Sequence, residues 1–195
     1  MKTSFVFLAA GFEEIEALTV VDVLRRAGLP VKTVSITSSL QVTGAHGITV
    51  AADLLYDNTL FDDPLWLILP GGLPGADNLY DFAPLQGLLE RQAASKDGKI
   101  AAICASPAVV LGQLGLLEGK EATCYPGFEN KMKGAIPRPD KDVVISGNII
   151  TGNGPANSLE FALVIVRETL GMHIAEEVGS GMLYYRESPN DYNFG

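Results

Sequence analysis

The stretch Ala101-Ala102-Ile103-Cys104-Ala105-Ser106-Pro107 carries the most chemical information in this chain. A β-prone apolar run meets a helix-starting Ser-Pro pair with a thiol at the junction, and small residues, Ala102 and Ser106, stand two positions to either side. The G-x-S-x-G nucleophile elbow follows the same logic, because a tight strand-to-helix turn needs small neighbours and lifts its nucleophile out of the sheet. A thiol at such a corner faces the positive end of the next helix, a field that favours thiolate. Cysteines so placed have pKa values of roughly 3.5–7.5 against ~8.5 when free. The plainer reading, in which Cys104 is a small apolar filler of a core, fits this spacing equally well.

Two other clusters supply groups that a reactive thiol would use. Gly71 and Gly72 follow the apolar run 65–69 and Pro70; glycines there let backbone N–H groups approach a bound oxygen, as an oxyanion hole requires, although a tight turn wants glycine too. Glu13, Glu14 and Glu16 crowd the start of the first helical segment, where the helix dipole favours carboxylates that are solvated or capping. One of the three pointing inward would have a raised pKa, stay protonated and donate a hydrogen bond to sulfur; position alone does not select which. The second cysteine, Cys124, reads as a buried inert thiol on a strand beside that of Cys104, close enough for a regulatory disulfide only if the two Cα atoms lie within about 7 Å. His46 and His173 have no ligand companions nearby in sequence, so no metal site is expected; surface or dimer-contact roles suit them better than catalysis.

Composition narrows the setting. Lys and Arg total 14 against 23 Asp and Glu, a net charge of −9, which repels a polyanion, so no nucleic-acid partner is expected. With 195 residues, 47% hydrophobic, and a mean hydropathy of +0.22, the chain suits a single domain spanning 1–195 with a core that needs neither metal nor disulfide. The two cysteines exclude an extracellular disulfide framework. The apolar start runs straight into Glu13, unlike a cleavable signal, and the run from Ile100 to Gly112 is shorter than the ~18 residues of a membrane span. A cytoplasmic location without membrane contact is expected.

These groups must be positioned by a strand–helix alternation. Strands are expected at Ser4–Leu8, Val31–Ile36, Leu65–Leu69, Lys99–Ile103, Glu121–Tyr125, Val143–Ser146 and Ile149–Thr151, with a hairpin of Leu40–Thr43 and Ile48–Ala51. Helices are expected over Glu14–Ala27, with Ile15, Leu18, Val21 and Leu24 on the buried face; from Pro84 to Ala94; after Ser106-Pro107; and through Leu170 from a cap at Asn157 or Ser158. The stretch from Tyr184 to Gly195 reads as a polar surface tail. Such alternation implies an α/β fold with a mostly parallel sheet covered on both sides, whose ligands sit at the carboxyl ends of the strands. Gly11–Glu16, Gly71-Gly72, Cys104, Tyr125 and Thr151–Pro155 all fall at that edge. Neither glycine cluster matches G-x-G-x-x-G or the P-loop, so nucleotide binding is the weakest reading.

Four segments in order, Gly11-Phe12-Glu13-Glu14-Ile15-Glu16, Leu69-Pro70-Gly71-Gly72, Ala102-Ile103-Cys104-Ala105 and Thr151-Gly152-Asn153-Gly154-Pro155, resemble the ThiJ/PfpI superfamily in its DJ-1-like branch, from Lys2 to about Leu170. The resemblance implies a flavodoxin-like three-layer sandwich with a nucleophile elbow, usually a homodimer. It also implies that Cys104 is a reactive, readily oxidised cysteine, that Glu16 is the protonated glutamate on its sulfur, and that Gly72 and Ala105 are backbone donors. Gly71, Tyr125, Gly154 and Pro155 become substrate-pocket candidates. The implied activity is a glyoxalase or deglycase acting on methylglyoxal or its adducts without a cofactor, with a role in oxidative stress. A redox sensor or chaperone that works through Cys104 oxidation is the alternative. Peptidase activity of the PfpI type is disfavoured, because Ala105 rather than His follows Cys104. Several members have His where this chain has Tyr125, a poor base at neutral pH given a reference pKa near ~10.

Overall fold

In the computed structural model, which describes residues 1–184, the strands alternate their side chains between two apolar layers. Strand β1 (Ser4–Leu8) sends Val6 and Leu8 to one side and Phe5 and Phe7 to the other. Burial on both faces is why its sequence is continuously apolar rather than alternating. Strand β2 (Val31–Ser35), β5 (Leu54–Leu55), β6 (Trp66–Leu69), β7 (Lys99–Ile103), β10 (Val143–Ser146) and β11 (Ile149–Gly152) complete a seven-stranded sheet in the order β10-β11-β7-β6-β1-β2-β5. Every pairing is parallel except β10 with β11. This is the expected flavodoxin-like α/β sandwich.

One layer is built by α1 (Glu14–Arg26) and α4 (Ser158–Leu170), which pack against each other and bury Val20, Leu24, Phe161 and Ile165 on Val6, Ile68 and Ile103. The opposite layer comes from α2 (Gly75–Asp81), α3 (Ala83–Ala94) and a six-residue π-helix, Pro107–Gly112, which bury Leu79, Leu85, Leu88 and Val110 on Phe7, Leu67 and Ala102. Helix α5 (Met172–Gly181) packs along α4. The hairpin of β3 (Gln41–Thr43) and β4 (Thr49–Ala51) forms a separate antiparallel pair in the expected place. Among the described residues no helix is long and apolar enough to cross a membrane.

Four expectations need correction. On α1, Ile15 is 57% and Leu18 40% exposed, while Glu14 and Glu16 are buried; the helix turns its carboxylates inward. The strand expected at Glu121–Tyr125 stops after β8 (Glu121–Ala122), which pairs with β9 (Ile136–Pro137) outside the main sheet. Cys124 is therefore not on a strand beside β7. Neither Asn157 nor Ser158 caps α4 with its side chain: Asn157 donates to Asn153, and the Ser158 hydroxyl donates to the Pro155 carbonyl. Of the expected tail, Tyr184 is exposed, and residues 185–195 lie outside the described residues.

Candidate active site

Strand order reverses around β1: β2 and β5 lie on one side, and β6, β7 and β11 on the other. A crevice opens at such a switch point, beyond the carboxyl ends of the strands. The loops after β1, β6 and β7 converge there, bringing Glu16, Gly71, Gly72 and Cys104 together.

Cys104 follows β7 at φ +64°, one of two non-glycine residues with positive φ among those described. A side chain held there costs of order 1–3 kcal/mol, a strain that persists only when its surroundings enforce it. Enforcement is visible on both sides of the residue. Its N–H donates to the Gly152 carbonyl at 2.9 Å, its own carbonyl accepts from the Tyr125 N–H at 2.8 Å, and the buried Ser106 hydroxyl donates to the Pro70 carbonyl. The small residues expected for an elbow are thus used, Ser106 as a clamp and Ala105 as an N–H donor beside the sulfur.

Glu16 is fully buried. Its Oε2 accepts from the Gly71 N–H at 2.7 Å, its Oε1 has no complete hydrogen bond, and the carboxyl interacts with the Cys104 sulfur. Burial is the largest influence on the carboxyl and pushes it up to about 7, against the pull of the Cys104 and Gly71 contacts. Burial likewise raises the Cys104 thiol, helped by the Glu16 charge, while the N–H groups of Gly72 and Ala105 pull it down. The expected lowering by a helix field does not occur, for two reasons: the following helix is a short π-turn, and the sulfur sits in apolar surroundings beside a carboxyl. Two acidic groups in contact lose their protons as a coupled pair rather than independently.

Gly71 is the spacer that permits this contact. A Cβ on it would lie 2.6 Å from Cys104 Cβ, 2.8 Å from Glu16 Oε2 and 3.0 Å from the Ile103 carbonyl oxygen. Gly71→Ala is expected to lower the free energy of unfolding by roughly 1–3 kcal/mol, read from urea titration, and to part sulfur from carboxyl. Wild-type stability in that variant would contradict the packing described. Gly72 has φ +88° and a Cβ there would meet Glu13 N and the Gly11 carbonyl at 2.5 Å, so only glycine fits the turn that presents its N–H.

Cys104, Gly72, Ala105, Tyr125 and Pro155 line a cleft of about 470 Å³, together with Glu13, Ile15, His46, Leu73 and Phe128. Gly71 lies behind its floor, and Gly154 lies behind the Tyr125 ring. The Tyr125 ring meets Phe128 edge-on, with centroids 6.3 Å apart. Sequence reasoning missed the apolar walls Ile15, Leu73 and Phe128, and it gave Glu13, Glu14 and His46 other roles. Glu13 is 8% exposed and makes no side-chain cap, contrary to the expected solvated or capping role. Glu14 Oε1 accepts the N–H groups of His46 and Ile48, and its Oε2 pairs with His46 Nδ1 at 2.9 Å. Although burial raises Glu14, these bonds leave it lower than usual, and its charge together with that of Glu13 raises His46.

His46 therefore does have ligand-type companions: one ligand atom each from Glu13, Glu14 and His46 lies within 4.8 Å of the others. Both Glu14 oxygens are already committed to the hairpin turn, which makes the group an anchor for that turn. Cys124 is buried and free, pushed up to about 12 by burial and by the Glu129 charge, so it stays a neutral thiol.

Comparison with known proteins identifies the family. The DJ-1/PfpI family model matches residues 2–168. Protein DJ-1 homolog B of Arabidopsis thaliana is 40% identical over 194 residues, which is 97% of this chain but 43% of the plant protein, so the chain spans less than half of that relative's length. Glutathione-independent glyoxalase DJR-1.2 of Caenorhabditis elegans is 40% identical over 162 residues, 81% of this chain and 82% of the worm protein. Among solved structures, oxidized DJ-1 of Toxoplasma gondii aligns with a TM-score of 0.86 at 35% identity, covering 95% of this chain and all of that one. A match across most of the sequence, joined to the same layered sheet, makes the chain a member of the DJ-1/PfpI family.

Proposed function

We propose that this chain converts α-oxoaldehydes such as methylglyoxal, and the adducts they form with amines, by means of Cys104 and Glu16 and without a cofactor. The observation that carries the reading is the buried contact of thiol and carboxyl at the foot of an open cleft, with two N–H donors aimed at the sulfur. The name of the worm relative, a glutathione-independent glyoxalase, supports the same chemistry.

The steps follow from the groups present. The sulfur attacks the aldehyde carbon as Glu16 takes the thiol proton and passes it to the new alkoxide, giving a hemithioacetal. Glu16, now a carboxylate, removes the proton from that carbon and returns it to the neighbouring one, so the aldehyde carbon is oxidised and the ketone carbon reduced within one molecule. Water cleaves the resulting thioester to lactate and regenerates the thiol. The N–H groups of Gly72 and Ala105 steady the oxyanions along the way. Tyr125 forms part of the cleft wall rather than supplying a base.

Incubation with methylglyoxal in the absence of glutathione is expected to yield lactate, followed by proton NMR. Absence of lactate would reject the reading.

A second reading is favoured by the same donors. A sulfinate on Cys104 would be held by Gly72, Ala105 and a protonated Glu16, making the site an oxidation sensor. Mild peroxide followed by mass spectrometry should add two oxygens at Cys104 and none at Cys124. Selective oxidation without lactate formation would favour the sensor. We further propose a second copy of the chain as partner, since Ile15, Leu18 and Ile48 leave an apolar surface on α1 and the hairpin turn.

A further inference from the structure

The walls of the cleft carry an unbalanced charge. Glu13 and His46 are the charged side chains that line it, and neither a lysine nor an arginine stands among the lining residues. His46 is committed at 2.9 Å to Glu14, a carboxylate behind the wall, and stands 3.5 Å from Glu13. One imidazole thus faces two carboxylates, and the cleft is negative whether or not that imidazole is protonated. Lys131 has its ammonium 5.0 Å from the centre of the Phe128 ring and is not among the lining side chains.

Glu13 is also rigidly placed. Its N–H donates to the Gly71 carbonyl at 3.0 Å, and the Gly72 turn passes so close to its backbone that a Cβ there would meet the Glu13 nitrogen. Its side chain is nine-tenths buried, so its field is poorly screened by water. That field reaches the reactive pair, because the Glu13 charge contributes to raising Glu16.

We propose that Glu13 makes the site selective by charge: it admits neutral and amine-bearing carbonyl compounds and turns away those carrying a carboxylate or phosphate. This rests on the aldehyde chemistry proposed for Cys104 and names its substrate class. The selection also acts on products. A neutral α-oxoaldehyde enters and a 2-hydroxy acid anion leaves, so the same carboxylate that tolerates the substrate repels the product. An adduct whose nitrogen stays protonated carries the charge that Glu13 attracts.

Alkylation of Cys104 measures the selection without requiring turnover. Second-order rates with iodoacetamide, iodoacetate and 2-bromoethylamine, each normalised to 2-mercaptoethanol and read at Cys104 by mass spectrometry, are expected to disfavour the anion by about tenfold and favour the cation, as a fixed charge in a narrow cleft does. Glu13→Gln should bring all three normalised rates together. His46→Ala, which removes the partial compensation, should widen the gap and serves if the first variant does not fold. Equal normalised rates in the wild type, or a gap unchanged in both variants, would overturn the proposal. A parallel comparison of phenylglyoxal with 4-carboxyphenylglyoxal separates the two claims. Charge-selective alkylation with no turnover of either compound sinks the aldehyde reading and leaves the selection standing; turnover of both at equal kcat/KM sinks the selection alone.

Discussion

Turnover of methylglyoxal by the Cys104→Ser variant is expected to fall by at least about 10³-fold, roughly 4 kcal/mol of lost transition-state stabilisation. A hydroxyl fits the same volume and the same φ of +64°, so the elbow and its bonds to Gly152 and Tyr125 stay in place. What disappears is the sulfur nucleophile that lies against the Glu16 carboxyl. Thermal unfolding of the variant should match the wild type, which separates loss of chemistry from loss of fold. Lactate formation at the wild-type rate by the serine variant would remove Cys104 from the mechanism.

Glu16→Gln is expected to give a protein that is slower and more stable. The amide keeps the length needed to accept from Gly71 but cannot carry a proton between substrate carbons, a role worth about 10²–10⁴ in rate. The wild-type kcat/KM should decline as pH falls through about 7, where the Glu16 carboxyl becomes protonated and stops accepting the thiol proton, and the glutamine variant should lack that inflection. Stability runs the other way. The folded-state carboxyl titrates at about 7 against an ordinary 4.5, so between those values the folded protein binds more protons than the unfolded chain. Wild-type stability therefore falls as pH rises from about 4.5 to about 7, by an amount on the order of 3 kcal/mol. The glutamine variant has no such charge to bury and should gain that amount relative to wild type at pH 8, measured by urea unfolding. Equal stabilities at pH 8 would mean that Glu16 is not held in the low-dielectric setting described.

The thiol and the two glycines were legible because each follows a strand whose apolar run is unmistakable, whereas Glu16, inside α1, was singled out from Glu13 and Glu14 only by the family resemblance. β1 and β7 fall where continuous hydrophobicity puts them, and strand ends fix what meets at the crevice. The face of α1 was misread for a physical reason. Counting apolar residues at spacings of three points to Ile15 and Leu18, yet the helix buries Glu14 and Glu16, whose cost of burial is offset by the N–H groups of the hairpin turn and of Gly71. Those partners lie far away in sequence, so no local pattern announces them. His46 was hidden likewise, since only the fold brings residue 46 to residue 14. Helix α2 and helix α5 were missed because glycine, aspartate and serine dilute their periodicity. Cys124 was drawn toward a strand by β-prone neighbours that instead form isolated bonds to Thr151 and Cys104.

The β3–β4 ribbon is fastened to the body at a few points: the Gly11 N–H to the Thr43 carbonyl, the Ala45 N–H to the Phe12 carbonyl, and the Glu14 carboxyl to residues 46 and 48. It shares no ladder with the seven-stranded sheet. Yet its Val42 is buried in the core and its turn satisfies the buried Glu14 carboxyl, so a change in this ribbon is felt both in the scaffold and, through His46, at the mouth of the cleft.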